Sequence, residues 1–232
     1  MFPAASLFDP AWRKPADTGF WLPFKAIPDD FVRFLSPDTL KVLGLGGAGA
    51  LAAYQWDAEG LGESQEHLRP SLFTAGNIGG GFVVQAGTSF GLYSLAKLSG
   101  SHELAAAGAD LVRAQVLAQA IVQAGKFATH RPRPDASNHY SLPSGHTASA
   151  FATATVLRQH FGWKAGVPAY SFGAYVAVSR MSANKHHLSD VLLGAAIGIA
   201  AGRTVTVGAG RAQFEMGVAP TLGGAAITFT KR

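Results

Sequence analysis

The sequence predicts an all-α protein: a helical bundle of about six main helices, with an extended N-terminal arm and a C-terminal β-hairpin. Three observations carry this. Apolar stretches rich in Ala and Gly recur without strand-like alternation. Proline and glycine punctuate the chain between those stretches. Only the tail alternates with the period of two that a strand requires.

Taken in order, residues 1–30 are rich in Pro and aromatics, lack periodicity, and read as an arm lying on the surface. Asp29–Leu35 suits a short helix. Ser36-Pro37 is a helix start, with Ser as cap and Pro in the first helical position, and that helix should run to about Tyr54. Residues 57–68 are polar and acidic and read as a connection. Two helices should fill 70–98, with a weak point at Gly79–Gly81. Leu104–Phe127 is Ala-rich, free of Pro, and places Leu111, Val116, Ala120 and Ile121 at helical spacing. His130-Arg131-Pro132-Arg133-Pro134 must be a loop, because each Pro drives its predecessor out of the helical region. Further helices are expected over Ser144–Phe161, Val167–Met181 and His186–Val205. In the tail, Phe214, Met216 and Val218 alternate, as do Ala225, Ile227 and Phe229, around Thr221-Leu222-Gly223-Gly224. The chain is read as one domain over 1–232: an arm over 1–30, a helical core over 31–206 and a tail over 207–232.

Charged residues make up 14% of the 232, against roughly 25% in typical soluble domains. Gly, at 28, and Ala fill the deficit, and small residues let helices approach closely in lipid or in water. A spanning helix needs about 20 predominantly apolar residues. The uncharged stretch Val42–Trp56 has 15, Val191–Gly202 has 12, and Ser71–Ala96 has 26 but is interrupted by Asn77, Gln85 and three glycines. These stretches read as buried helices of a compact bundle more than as lipid-facing spans. Cysteine is absent, so disulfides and thiolate metal sites are excluded. Met1–Phe20 carry Asp9, Arg13, Lys14 and Asp17 and no long apolar run, so no secretory signal is expected there.

Net charge is +5, and nine of the fourteen acidic residues fall at or before Glu66. The rest of the chain is therefore basic, which suits an anionic partner such as a phosphate or an acidic membrane surface. No basic patch is interleaved with aromatics, so nucleic acid is not expected as a partner.

Three short segments carry chemistry. The first is Lys126 followed, after six residues, by Arg133-Pro134. The second is Pro143-Ser144-Gly145-His146. The third is Ser179-Arg180, then His186, then Asp190. Pro143-Ser144-Gly145 precedes an apolar helical run, and a helix N-terminus offers free N–H groups and a favourable dipole to an anion. Ser144 adds a hydroxyl, Gly145 allows close approach, and His146 lies in the first turn. His186 and Asp190 are four apart, which on a helix puts them on one face. A carboxylate there can fix the imidazole tautomer and leave the other nitrogen free to attack. Lys126, Arg133 and Arg180 supply three cations for phosphate oxygens. No acidic cluster suited to Mg²⁺ is visible, so these cations would stabilise the transferring group themselves.

These segments resemble the three-part signature of the type-2 phosphatidic acid phosphatase (PAP2) superfamily, which includes bacterial acid phosphatases and vanadium haloperoxidases. All eleven signature residues are present in order between Lys126 and Asp190. Residues 1–100 and the tail carry none of it. The spacer Asp135–Leu142 is shorter than is usual in the family. The resemblance implies a helical bundle and a metal-independent phosphatase acting on a phosphomonoester or pyrophosphate, lipid or soluble. His186 would be the nucleophile that forms a phosphohistidine. Asp190 would hold its ring, and His146 would be the acid and then the base. Lys126, Arg133, Ser144, Gly145 and Arg180 would bind phosphate. No cofactor is implied, although vanadate, a phosphate mimic, fits the same cradle. Family habit also implies a catalytic site outside the cytoplasm, periplasmic or membrane-associated, and a soluble chain can still meet a lipid substrate at a membrane surface. The alternatives are a vanadate-dependent haloperoxidase and a non-catalytic phosphate-binding protein.

Other residues stay open or unassigned. Arg131 either adds to the phosphate site or pairs with a carboxylate such as Asp135. His130, His139 and His187 have no role assigned. A zinc site from His186, His187 and Asp190 is disfavoured, since adjacent helical residues diverge by about 100°.

Overall fold

The computed structural model of the protein describes residues 19–57 and 70–206, with 214–221 and 224–231 as backbone alone. Eight α-helices follow one another: α1 (Ile27–Arg33), α2 (Pro37–Ala53), α3 (Thr74–Gly79), α4 (Phe82–Leu98), α5 (His102–Thr129), α6 (Gly145–Phe161), α7 (Trp163–Ser182) and α8 (Leu188–Val205). Six of these are long, as expected. The all-α class holds over the described core. The expected C-terminal hairpin falls on residues described as backbone alone, where Phe214–Thr221 and Gly224–Lys231 run antiparallel. Residues 1–18 of the expected arm (1–30) and 58–68 of the expected acidic connection (57–68) lie outside the described residues. Where the arm is described it is not extended: Leu22–Ala26 form a 3₁₀ turn that leads into α1, and Phe20 and Phe24 pack on Tyr93.

Local chemistry explains the helix starts. Ser36 Oγ accepts from the Thr39 N–H at 3.4 Å, with Pro37 in the first turn. Between α3 and α4 the chain breaks at Gly80 and Gly81, and the Gln85 amide donates to the Gly79 carbonyl at 2.6 Å. Two starts differ from expectation. α7 begins at Trp163, one residue after α6, because Gly162 turns the chain at φ 76°. α8 begins at Leu188, so His186 precedes the helix. The Asp190 carboxylate accepts from the His187 N–H at 2.8 Å in a capping box, which fixes the cap at His187.

Close approach at small residues assembles the bundle. Along α8, Gly194, Gly198 and Gly202 face Ser144, Ala148 and Ala152–Thr155 of α6 so tightly that a methyl group on any of them would collide. Gly46 of α2 meets Ala196 of α8, and Gly108 of α5 meets the Tyr93 backbone of α4, in the same way. The buried core is accordingly rich in Ala, with Leu111, Leu117, Val156 and Val205 among its larger members. A polar chain crosses it: Thr153 donates to Gln85 at 2.6 Å, and Gln115 donates to Thr153 at 2.9 Å, tying α4, α5 and α6.

Helices α2 and α8 run antiparallel, as do α5 and α6, whereas α6 and α8 run parallel, so that both begin at the same end. Thr39 at the start of α2 meets Thr204 at the end of α8, and Asp110 near the start of α5 meets His160 at the end of α6. The chemistry-bearing segments therefore gather at one end of the bundle. The far end carries Lys41, Lys97, Arg158, Lys164 and Arg203, one from each of five helices.

The outer face departs from the expected compact, soluble bundle. Leu45 and Leu51 on α2, Val83 and Leu95 on α4, and Val167 on α7 are all more than half exposed, Val83 at 81%. Monomeric soluble proteins rarely expose apolar faces of this extent. Among the described residues two helices, α5 and α8, are long and apolar enough to cross a membrane, and both are mostly buried inside the bundle.

Candidate active site

The site is built where the C-termini of α5 and α7 meet the N-termini of α4, α6 and α8. Lys126 lies in the last turn of α5, and its ammonium donates to the Tyr140 carbonyl of the following loop. Arg133 follows the helix end at His130, whose φ of 43° turns the chain out of α5. The loop closes on itself through the Arg133 N–H to the Asn138 carbonyl at 3.0 Å and the Ser141 N–H to the Arg131 carbonyl at 3.0 Å. Ser144 caps α6 by position alone, since its hydroxyl accepts from Thr147 at 3.0 Å and makes no cap bond. Its N–H donates to the Asp190 carbonyl at 3.0 Å, which joins the second and third segments of the signature. The Gln119 amide donates to the Gly145 carbonyl at 3.0 Å and so fixes the first turn of α6.

One cavity of about 220 Å³ is lined by Lys126, Arg133, Gly145, His146 and His186, together with Phe82, Gln119 and Gln123. A shallower recess of about 350 Å³ adjoins it, sharing Gln123, Lys126 and Arg133 and adding Phe127, Asn138 and Tyr140. Five of the eight expected site residues thus share one chamber. The other three, Ser144, Arg180 and Asp190, are buried around it. Arg180 donates to Asn77 Oδ1 of α3 at 2.8 Å. The Nε atoms of Arg133 and Arg180 are buried without a protein partner, and a bound oxyanion could satisfy such donors.

His186 and Asp190 are brought together, but not on one helical face. The His186 Nδ1 lies 3.6 Å from Asp190 Oδ2, beyond hydrogen-bond length, and is buried without a partner. Asp190 Oδ2 is occupied instead by the Ser141 hydroxyl and the His187 N–H. Burial pushes the His186 imidazole down to about 4; the Asp190 carboxylate opposes the shift, and the Lys126 and Arg180 charges reinforce it. The nucleophile candidate is therefore neutral at ordinary pH, with a lone pair to give.

Other residues complete the surroundings of the site. Arg131 pairs with carboxylates, as one of its two readings has it, but not with Asp135. Its guanidinium donates to Asp190 Oδ1 and Asp57 Oδ2, each at 2.7 Å. Asp135 pairs with Lys185 instead, and that ammonium holds its carboxyl below the usual range. His187 is the α8 cap, His130 ends α5, and His139 is exposed. Asn77, Asp57 and Ser141 are ordinary polar residues in sequence, and no local signal marks them. No group of three His, Asp or Glu side chains among the described residues is placed to hold a metal.

Residues 107–213 match the family model of the PAP2 superfamily. The chain is similar to a lipid A 1-phosphatase of Porphyromonas gingivalis, 44% identical over 85 residues, covering 35% of this chain and 19% of the relative. It is also similar to a lipid A 4'-phosphatase of Helicobacter pylori, 31% identical over 65 residues, covering 28% of this chain and 33% of the relative. The chain therefore spans a third or less of each relative's length. No solved structure matches. The signature residues, their convergence on one cationic chamber and the family match agree: residues 107–213 of the chain match the PAP2 superfamily.

Proposed function

We propose that the protein is a phosphoric ester hydrolase that removes phosphate from a phosphorylated lipid, through a phosphohistidine on His186 and without a metal. The observation that carries this reading is the single chamber in which two histidines, Lys126 and Arg133 face one another, with Arg180 behind. Lys126, Arg133 and Arg180 grip the non-bridging oxygens, and Ser144 and Gly145 complete the cradle. The His186 Nε2 lone pair attacks phosphorus, and the bond to the ester oxygen breaks. Protonated His146 gives its proton to that oxygen, and the alcohol leaves. His146, now neutral, takes a proton from a water that attacks phosphorus. The P–N bond breaks, its electron pair returns to His186, and inorganic phosphate departs.

A lipid substrate follows from two supports: the relatives named for lipid A phosphates and the exposed apolar faces of α2, α4 and α7. In this reading the bundle lies in the bilayer. The resemblance to the family implies that its catalytic end faces away from the cytoplasm. The tail hairpin stays part of this proposal, supported by the alternation in residues 214–229.

The test is phosphate release from a phosphorylated lipid in detergent micelles, with EDTA present, comparing the protein with its His186→Ala form. Turnover in the first and none in the second is expected. Equal turnover in both, or loss of turnover on adding EDTA, overturns the mechanism.

A further inference from the structure

Asp57 lies far from the signature, at the end of the chain segment leading out of α2, yet its side chain is 5% exposed. Its Oδ1 accepts from the Ser189 N–H at 3.1 Å in the first turn of α8. Its Oδ2 accepts from the Ser189 hydroxyl and from Arg131 at 2.7 Å. The other arm of the same guanidinium reaches Asp190 Oδ1 at 2.7 Å and Ser189 Oγ at 2.6 Å. The Tyr54 ring lies 5.0 Å from the guanidinium carbon and covers it. Arg131 is thus held between two buried carboxylates, one of which faces the nucleophile.

We propose that Asp57 and Arg131 are positioning residues for the reaction at His186, acting through Asp190. Two consequences of the geometry support this. The first is steric: Asp190 has no freedom to rotate, since Arg131 takes one oxygen while Ser141 and the His187 N–H take the other. The second is electrostatic. An Arg131–Asp190 pair alone is neutral and would do little for a positive charge developing on His186. With Asp57 added, two carboxylates surround one guanidinium, and the array keeps a net charge of one negative. That charge faces His186 when the ring bonds phosphorus and becomes cationic. Asp57 also anchors the start of α8 from outside the signature, so the register of His186 depends on a residue 129 positions earlier.

This inference rests on the phosphohistidine reading, and the experiment separates the two. Asp57→Asn keeps the shape and removes the charge; Arg131→Lys keeps the charge and removes the fork. Both are compared with the unaltered protein in phosphate release and in direct binding of orthovanadate and of inorganic phosphate. Vanadate can take a fifth ligand from His186, whereas phosphate reports the cradle alone. Both variants should lose tenfold or more in kcat and in vanadate affinity, with KM and phosphate affinity within about threefold. Vanadate and phosphate affinities that fall together, or a kcat within twofold of the unaltered protein, overturn the positioning role. If the unaltered protein does not turn over, or if His186→Ala still does, the function proposed above fails. The vanadate-to-phosphate ratio then still decides whether Asp57 and Arg131 act on His186. Thermal unfolding is followed in parallel; should Arg131→Lys not fold, Asp57→Asn decides alone.

Discussion

Replacing Gly194 by Ala tests whether contact between α6 and α8 sets the catalytic geometry. An added Cβ would lie 2.5 Å from the Ser144 carbonyl oxygen, about 0.9 Å inside the 3.4 Å at which ordinary contact begins. The obstacle is backbone, so no side chain can swing aside. Relief requires α8 to move away from the start of α6 by an amount of that order. Asp190 is one turn before Gly194 and accepts from the Ser144 N–H through its carbonyl, so the shift acts between the His146 and His186 halves of the chamber. Overpacking of this kind costs about 1–3 kcal/mol, offset by up to about 1 kcal/mol from the better helix propensity of Ala. A misplacement near 1 Å in reacting groups lowers the rate by about 10²-fold. The assay is kcat for phosphate release at saturating substrate, with thermal unfolding in the same detergent. Gly91→Ala on α4 is the control, since nothing lies within 4 Å of its added methyl. It should keep full activity and unchanged or raised stability. A Gly194→Ala protein with kcat within threefold of the original refutes the claim that this contact sets the geometry.

Ser141→Ala removes a donor to Asp190 Oδ2 from a fully buried position and should cost about 1–3 kcal/mol of stability, together with a lower kcat and little change in KM; melting and steady-state kinetics check both. For pH, the depressed His186 value means the nucleophile stays neutral down to about 4, so the acid limb set by His186 should lie near 4 rather than near 6.5. The sign for stability follows. Between about 4 and 6.5 the unfolded chain holds the proton that folded His186 refuses, so stability rises with pH across that window and is lost as pH falls through it. Denaturant midpoints from pH 4 to 7, with and without His186→Ala, measure it; an unchanged slope in the variant refutes it. Ser36→Ala removes the α2 cap at a site far from the chemistry and should cost about 1 kcal/mol without changing kcat.

The signature residues and most helix bounds were legible because their causes are local. Ser36-Pro37 starts a helix through its own side chain and ring, and the break at Gly80-Gly81 follows from the backbone freedom of glycine. Lys126, Arg133, His146 and His186 are legible as one group because a helix end, two loops and a helix start carry them between residues 126 and 186. What stayed hidden depends on distance along the chain. Asp57 reads as part of an acidic linker, and only the antiparallel pairing of α2 with α8 brings it to Ser189 and Arg131. The sequence leaves Arg131 open between the phosphate site and a carboxylate such as Asp135; the fold gives Asp135 to Lys185 and Arg131 to Asp57 and Asp190. The start of α8 was misread because Asp190 serves both as a neighbour of His186 and as the acid of a capping box. The outward apolar faces are not legible in charge-free runs along the sequence, because exposure depends on which side of each helix its neighbours cover.

The glycine seam of α8 also bears on how the assembled bundle responds to temperature. Helices joined by backbone contact at Gly194, Gly198 and Gly202 meet mainly through small side chains, with Val156, Ile197 and Val205 the larger ones uncovered when they part. In lipid, such association draws on close van der Waals contact rather than on the release of water. The heat-capacity change on separating α6 from α8 should therefore be small, because that quantity follows apolar surface newly exposed to water. Cooling, which weakens water-driven association, should leave this joint almost untouched, and the chamber it supports should keep its shape in the cold.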